Sequence, residues 1–348
     1  MKPLLAALAV LTGTVAIVPA PAQAQAAGVL NLYSARHYQT DEALYEGFTK
    51  ATGIRINRVD GDDAGILARL KTEGASSPAD VILLVDAARL WRAEADGMLQ
   101  PLRSATLEQR IPANLRGQDA GQGSQWFGLS TRARVTIYDK QKVKAEDVAT
   151  YAQLADPKFK GSICVRSGSH PYNLSLFGSL MEHQGAQATE TWLKGIVNNL
   201  ARAPKGGDTD QIRAVAAGEC TVAISNSYYL ARLMRSNNPA DRQVVERVGV
   251  VFPNQATTGT HMNISGGGIA RNAPNRAAAV AFLEYLASDA AQRYFADGNN
   301  EWPAVGSVQT SNPALAQWGK FKTESVPISK IGMNQTPVQQ MLDRVGFR

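Results

Sequence analysis

The stretch from residue 81 to residue 95 contains the change of hydrophobic period that decides the fold class. It reads Val-Ile-Leu-Leu-Val-Asp-Ala-Ala-Arg-Leu-Trp-Arg-Ala-Glu-Ala. The apolar run Val81–Val85 predicts a strand, and Ala87–Ala95 directly after it predicts a helix. A strand followed by a helix is the repeating unit of α/β proteins with largely parallel sheets.

The same order recurs on both sides of this stretch. Upstream, Val29–Tyr33 predicts a strand and Asp41–Lys50 predicts a helix, in which Leu44 and Phe48 are four residues apart. Downstream, two more units follow the pattern: a strand at Ile163–Arg166 before a helix at Leu174–Glu182, and a strand at Thr221–Ser225 before a helix at Tyr229–Met234. We therefore expect an α/β protein.

Two passages of the chain run between apolar segments without a helix. Ser130–Arg134 joins Trp126–Leu129 to Val135–Tyr138, and a second passage joins Val248–Phe252 to His261–Ile264. Two such crossings predict two lobes connected by hinge strands, with the first lobe discontinuous in sequence. The expected boundaries are residues 27–130 with 257–305 for the N-terminal lobe, and residues 131–256 with 306–348 for the C-terminal lobe.

The N-terminus has the pattern of a secretory signal peptide. An apolar run from Leu4 to Val18 follows Met-Lys-Pro, and small-residue cleavage sites lie at Ala22–Ala24 and Ala24–Ala26. A membrane anchor is the alternative, but a span needs about 20 apolar residues and this run stops before a Pro-Ala-Pro break. We expect residues 1–26 to be removed on export to the periplasm, leaving a chain that does not span the membrane.

The composition is that of a folded protein whose ligand is small. Hydrophobic residues make up 44% of the chain and charged residues 19%, which excludes a disordered chain. The net charge of +6 falls to +5 when Lys2 leaves with the signal peptide. Its basic residues are scattered, so nucleic acid is not an expected partner. Nothing in the sequence calls for an oligomer, and we expect a monomer.

The chain has two cysteines, Cys164 and Cys220. Disulfides form in oxidising compartments outside the cytoplasm, so export favours a bridge between them. Two buried, reduced thiols are the alternative. Each cysteine lies eight residues before a tyrosine discussed below, Tyr172 and Tyr228 respectively.

Three segments place tyrosine between a predicted strand and a predicted helix. In open α/β sheets, such junctions at the carboxyl ends of strands line the ligand crevice. Any one of these tyrosines, taken alone, is more typical of a half-buried packing residue, and it is their joint arrangement that indicates a site. The segments are Tyr33-Ser-Ala-Arg-His-Tyr38, Arg166-Ser-Gly-Ser-His-Pro-Tyr-Asn173 and Ser225-Asn-Ser-Tyr-Tyr229.

The adjacent pair Tyr228 and Tyr229 is the most informative of these. Ser227 is a candidate N-cap, which would put both rings in the first turn of a helix, where the helix dipole favours anionic oxygen. On a strand, two adjacent phenols would point to opposite faces, whereas at a helix start both can lean toward one cleft.

These three segments resemble the corresponding segments of periplasmic ferric-iron-binding proteins, the substrate-binding components of iron importers of the ATP-binding-cassette (ABC) class. The resemblance covers essentially the whole mature chain, including Trp126–Ser130 at the first crossing. It implies a fold of two α/β lobes that close over the metal, and delivery of the metal to an ABC-type permease in the inner membrane.

Position by position, the resemblance implies that His37 and Tyr38 of the first lobe, with Tyr172, Tyr228 and Tyr229 of the second, are the ligands of Fe³⁺. His170 has no counterpart and is expected outside the ligand set. A ferric ion prefers anionic oxygen, and four phenolates with a neutral imidazole leave a site charge of −1. Arg36 and Arg166 lie in the ligand-bearing segments and could balance that charge. Some members of the family also bind carbonate or a similar anion, which these arginines could hold.

Two other functions compete with this reading. A secreted hydrolase would be expected to show a Gly-x-Ser-x-Gly elbow or a His-Glu-x-x-His pair, and neither occurs, so we do not expect an enzyme. A binding protein of the same fold for an organic cation, a phosphonate or a thiamine-like molecule is the closer alternative, because aromatic residues in a cleft can cage a cation.

Overall fold

The computed structural model describes residues 28–36 and 38–348. The predicted signal peptide and its cleavage site, together with His37, lie outside the described residues. The described helices are α1 Glu42–Thr52, α2 Asp63–Glu73, α3 Ala87–Ala95, α4 Ala105–Arg110, α5 Pro171–Gln184, α6 Ala186–Asn199, α7 Asp208–Ala217, α8 Ser227–Met234, α9 Pro239–Arg247, α10 Arg276–Leu286, α11 Asp289–Asp297, α12 Pro313–Trp318, α13 Ile328–Met333 and α14 Gln335–Val345. The described strands are β1 Val29–Ser34, β2 Arg55–Asp60, β3 Val81–Leu84, β4 Leu99–Gln100, β5 Phe127–Asp139, β6 Ile163–Cys164, β7 Val222–Asn226, β8 Val248–Val251, β9 Met262–Ala270 and β10 Trp302–Pro303.

The β-structure is mixed, so the expectation of largely parallel sheets was wrong. Among the described strands, β1/β2, β1/β3 and β6/β7 pair in parallel, whereas β5 and β9 pair antiparallel with all their neighbours. The main order is β2-β1-β3-β9-β5-β7-β6. The physical reason is that β5 passes between the lobes and β9 follows the second crossing, so β9 runs against β3 in the first lobe and β5 runs against β7 in the second.

Strand β5 runs through both lobes. The apolar runs on either side of Ser130–Arg134 are one continuous strand of 13 residues. Its first half pairs with β9 and its second half with β7 and β8. Two other segments of the chain lie beside the middle of β5. The backbone N–H of Arg134 donates to the backbone carbonyl of His261 at 2.9 Å, and the neighbouring Thr260 forms a β-bridge with Thr323. The hinge therefore consists of chain segments that are hydrogen-bonded side by side.

Separate apolar cores lie on the two sides of this hinge. Phe48 and Phe282 pack edge to face at 5.0 Å on the first-lobe side, and Phe177 and Trp192 pack at 5.6 Å on the second. Helix α13 packs against both α3 and α5, and Ile331 belongs to a first-lobe cluster. The exact lobe boundaries stay a prediction.

Several predicted elements differ from the observed ones at their ends. The predicted strand Ile163–Arg166 is only Ile163–Cys164, and the helix after it begins at Pro171 rather than at Leu174. Tyr172 therefore lies in the first turn of α5. Proline is favoured at a first helical position because it needs no N–H partner there, which accounts for the early start.

Cys164 and Cys220 form a disulfide, as predicted, with their Cα atoms 5.9 Å apart. Strands β6 and β7 are parallel neighbours, so Cys164 on β6 and Cys220, two residues before β7, come together at the same end of the sheet. None of the described helices is long and apolar enough to cross a bilayer.

Candidate metal centre

The first-lobe contribution to the site comes from the loop after β1. Tyr38 is buried, and its hydroxyl donates to Oε1 of Glu301 at 3.2 Å. The guanidinium of Arg36 lies over the Tyr38 ring, with Cζ 4.7 Å from the centroid. Arg36 in turn pairs with Asp41 at 2.6 Å and with Glu301 at 3.4 Å. The phenol is thus held by a buried network of charges.

The second-lobe contribution comes from the first turns of α5 and α8. Tyr172 is the second residue of α5, and Tyr228 and Tyr229 are the second and third residues of α8. The hydroxyl oxygens of Tyr172 and Tyr228 are 3.4 Å apart. The rings of Tyr228 and Tyr229 lie side by side, with centroids 4.1 Å apart and planes inclined by 30°. Tyr228 is fully buried, whereas Tyr229 is half-buried.

The two lobes meet at these rings. Tyr38 and Tyr228 pack edge to face with centroids 5.6 Å apart. A second contact across the cleft joins the hydroxyl of Ser175, on α5, to the buried carboxylate of Asp86 at 3.0 Å, just before α3. The described structure is therefore a closed form, in which Tyr38, Tyr172, Tyr228 and Tyr229 share one space.

Ser227 is not the N-cap that the sequence suggested. Asn226 holds that position and Ser227 is the first residue of α8. The Ser227 hydroxyl instead accepts the backbone N–H of Ala133 at 3.2 Å. This bond joins α8 to strand β5, so the serine side chain serves the hinge strand rather than its own helix.

His170 and Arg166 lie beside Tyr172 and face its ring. His170 is the N-cap of α5: its Nδ1 accepts the backbone N–H of Tyr172 at 3.2 Å, and its ring packs against that tyrosine at 4.6 Å. The Cζ of Arg166 is 5.1 Å from the Tyr172 centroid, and this guanidinium pairs with Asp208 at 3.3 Å.

Sequence reasoning missed Arg132, a buried cation among the tyrosines. Its Cζ is 5.4 Å from the Tyr172 centroid and its Nη1 is 3.8 Å from Glu301. It donates to Ser265 at 2.8 Å and to the carbonyl of Val85. The sequence feature that could have indicated Arg132 is its position within Ser130–Arg134, the segment that joins the two lobes.

Glu301, which accepts from Tyr38, was also missed. It is fully buried and accepts a further hydrogen bond from the hydroxyl of Ser130 at 2.9 Å. In the sequence it follows Asn299 and Asn300, and a charged residue after two asparagines is typical of a surface turn. Asn300 does have a positive φ of 62°, but the turn carries the carboxylate inward.

Burial governs the protonation of the phenols. Loss of hydration raises the pKa of Tyr38 well above its ordinary value, and the charges of Glu301 and Tyr172 add to this. Burial also raises the pKa of Tyr172, and the charge of Tyr229 raises it further. Burial likewise raises the pKa of Tyr228, and the charges of Tyr172 and Tyr38 add to that increase. Arg132 opposes all three shifts. Without a bound cation, these phenols are therefore neutral at neutral pH.

A conventional cluster of His, Cys, Asp and Glu does not account for the site. Over residues 28–36 and 38–348, no group of three or more of these side chains is placed to hold a metal ion. The oxygen donors that do converge are phenols, which suit a hard trivalent cation.

The chain matches the family model described as bacterial extracellular solute-binding protein over residues 43–323. The chain belongs to this family. This solute-binding protein is 47% identical to iron uptake protein A1 of Synechocystis over 319 residues, which cover 92% of this chain and 87% of that protein. Its homologues are transport proteins rather than enzymes, as expected from the absence of hydrolase motifs.

Two solved structures are similar to this solute-binding protein throughout. A Trichodesmium protein (IdiA, FutA), solved in complex with iron and citrate ligands, has a TM-score of 0.86 at 50% identity, covering 92% of this chain and all of that one. The ferric binding protein of Campylobacter jejuni has a TM-score of 0.86 at 39% identity, with the same coverage. The two-lobed periplasmic-binding-protein fold predicted from the sequence is confirmed.

Proposed function

We propose that this solute-binding protein captures Fe³⁺ between its lobes in the periplasm and delivers it, as a monomer, to an ABC-type importer. The observation that carries the proposal is the convergence of Tyr38, Tyr172, Tyr228 and Tyr229 in one closed space. Relatives and structural neighbours named for iron uptake and ferric binding support it. His37, next to Tyr38, is proposed as the fifth ligand.

The charges around the site favour such a cargo. Four phenolates and a neutral imidazole around Fe³⁺ carry a net charge of −1. Five arginines have their Cζ within 6.0 Å of one of the tyrosine rings, and three carboxylates pair with them, so the surrounding charge is positive and offsets that of the centre. The arginines are Arg36, Arg132, Arg134, Arg166 and Arg232, and the carboxylates are Asp41, Asp208 and Glu301.

A small anion such as carbonate would bind beside the metal, not in place of a phenolate. Three buried guanidinium nitrogens of the surrounding arginines have no hydrogen-bond partner in the described structure: Nη1 of Arg36, Nε of Arg132 and Nε of Arg134. They are the donors that would hold it, because buried N–H groups gain most from an anionic acceptor.

The closed form supports capture followed by release. Since ligands come from both lobes, the metal would bind the closed form more tightly than the open form and shift the population toward it. Opening of the hinge at the importer would then separate Tyr38 from the three tyrosines of the second lobe and leave the ion underliganded.

Titration of the exported protein with Fe³⁺, supplied as a weak chelate, tests the proposal. Phenolate bound to Fe³⁺ absorbs visible light, whereas an aromatic cage around an organic cation does not. We expect a visible band that saturates at one equivalent of iron. A protein that stays colourless, or one whose unfolding temperature rises with an organic cation but not with Fe³⁺, would exclude the ferric function.

A further inference from the structure

A buried ion pair lies beneath the second-lobe tyrosines without touching their hydroxyls. Arg134 is on β5 and Asp208 is the first residue of α7, and their side chains are 1% and 0% exposed. The Cζ of Arg134 is 6.0 Å from the centroid of Tyr172. Removing two charges from water costs about as much as their attraction returns, so such a pair is poorly explained by fold stability alone.

Arg134 bonds to the residues beside the tyrosines. Its Nη2 donates to the Asn173 side chain at 2.6 Å, and its Nη1 donates to the Asn226 side chain at 3.1 Å. Asn173 directly follows Tyr172, and Asn226 is the N-cap of the helix that carries Tyr228. One planar guanidinium therefore joins the starts of α5 and α8, and its rigid fork fixes the distance between them.

Asp208 completes the connection. Its Oδ2 accepts the backbone N–H of Asn226 at 2.7 Å, and its Oδ1 accepts from Arg166 at 3.3 Å. The amide of Asn173 closes the loop by donating to the carbonyl of Arg166 at 3.2 Å. All three segments that surround Tyr172 and Tyr228 are thus bonded through one carboxylate and one guanidinium.

We propose that Arg134 and Asp208 are positioning residues of the metal centre, which act through Asn173 and Asn226 to hold the phenols of Tyr172 and Tyr228 at the separation that one metal ion requires. This inference rests on the proposed ferric function. Neither residue is a ligand. Their effect on the metal is to remove the freedom of two helix starts before the metal arrives, which is the purpose of a supporting shell around a metal site.

The test is Asp208→Asn, which keeps the size of the side chain and removes its charge. We expect the affinity for Fe³⁺ to fall by about 10- to 100-fold, the range typical of lost supporting contacts at metal sites. We also expect the visible band at saturating iron to shift. A role confined to fold stability would leave the band of the folded protein unchanged, because the ligand geometry would be intact.

Asp139→Asn is the matched control. Asp139 is also fully buried and pairs with Arg247 at 2.7 Å, at the far end of the same strand β5. This variant should lower the unfolding temperature while leaving the affinity and the band as in the parent. Asn173→Ser is a second test, since it keeps the ion pair and removes the bonds through which the Asn173 side chain joins α5 to Arg134 and to the carbonyls of Arg166 and Ser167. If Asp208→Asn does not fold, the affinity and the visible band of Asn173→Ser test the positioning role in its place.

The outcomes separate the two proposals. A parent protein that develops no visible band with Fe³⁺ contradicts the ferric function itself. A parent that develops the band, beside a folded Asp208→Asn or Asn173→Ser with unchanged affinity and band, overturns the positioning role. Equal losses of affinity in Asp139→Asn and Asp208→Asn would overturn it as well.

Discussion

The hydroxyl oxygens of Tyr172 and Tyr228 lie 3.4 Å apart, although 56 positions separate the two residues in the chain. Two neutral phenols can share a hydrogen bond at this distance, but two phenolates would repel each other in a buried space. A cation between them reverses the sign of the interaction. The same geometry thus favours protonated phenols without metal and phenolates with it.

We predict that replacing Tyr228 and Tyr229 together by Phe abolishes the visible band and nearly all ferric binding. The rings and their stacking at 4.1 Å are retained, so the fold should be unaffected and only the donor oxygens are lost. Absorption titration and circular dichroism measure the two properties. Tyr285→Phe is the control, because its ring packs against Phe48 in the first-lobe core. A folded double variant that binds Fe³⁺ like the parent would place the site elsewhere.

We predict that iron uptake releases at least three protons at neutral pH. The pKa values of Tyr38, Tyr172 and Tyr228 are all raised, by burial first, so each phenol must lose a proton to bind the metal. For each proton that must be displaced, the affinity for Fe³⁺ falls about tenfold for every unit by which the pH is lowered. Acid therefore promotes release. Calorimetry in two buffers of different ionisation enthalpy counts the protons, and an affinity that does not change between pH 6 and pH 8 would contradict the prediction.

We predict that Glu324 stabilises the hinge. It accepts from the hydroxyl of Ser179, from Nε2 of His183 at 3.2 Å and from His261. Burial alone would raise the pKa of Glu324, but His261, His183 and Ser179 outweigh it and lower the pKa to about 2. Because the pKa is lower in the folded state, the stabilisation is present above the unfolded value and is lost as the pH falls toward 2.

Glu324→Gln should therefore reduce the free energy of unfolding by about 3 kcal/mol at pH 7, and by progressively less below pH 4. Urea denaturation at both pH values measures the difference. Glu190→Gln, which removes a surface ion pair with Arg344, should have little effect at either pH. An equal loss for Glu324→Gln at pH 7 and pH 3 would show that its charge is not the cause.

We predict that the disulfide stabilises the second lobe specifically. The bridge closes a loop between residues 56 positions apart, so replacing Cys164 and Cys220 by Ala should lower the free energy of unfolding by about 4 kcal/mol. Hydrogen exchange should quicken in β6 and β7 while the amides of β3 in the first lobe stay protected. Uniform loss of protection across both lobes, or two free thiols in the unfolded, unreduced parent, would contradict this.

The bounds of most of the predicted helices and strands could be inferred from the sequence. The helix Ala87–Ala95 has the predicted bounds, and β1, β3 and β7 agree with their predicted runs to within one residue at each end. These elements form from nearest-neighbour patterns of apolar residues, which are visible in any short window. The pairing of Cys164 with Cys220 was equally accessible, since the chain has no other cysteine.

What the sequence by itself determined is the strand-helix order, the disulfide and the set of tyrosines that follow strands. Only the tertiary structure decided the direction of the hinge strands and the buried charges around the phenols. Arg132, Glu301 and Asp208 are ordinary charged residues along the chain, and they become site residues because β5, β10 and α7 converge from positions far apart in sequence. Electrostatic energy depends on distance through space and on burial, and neither is encoded in a local pattern.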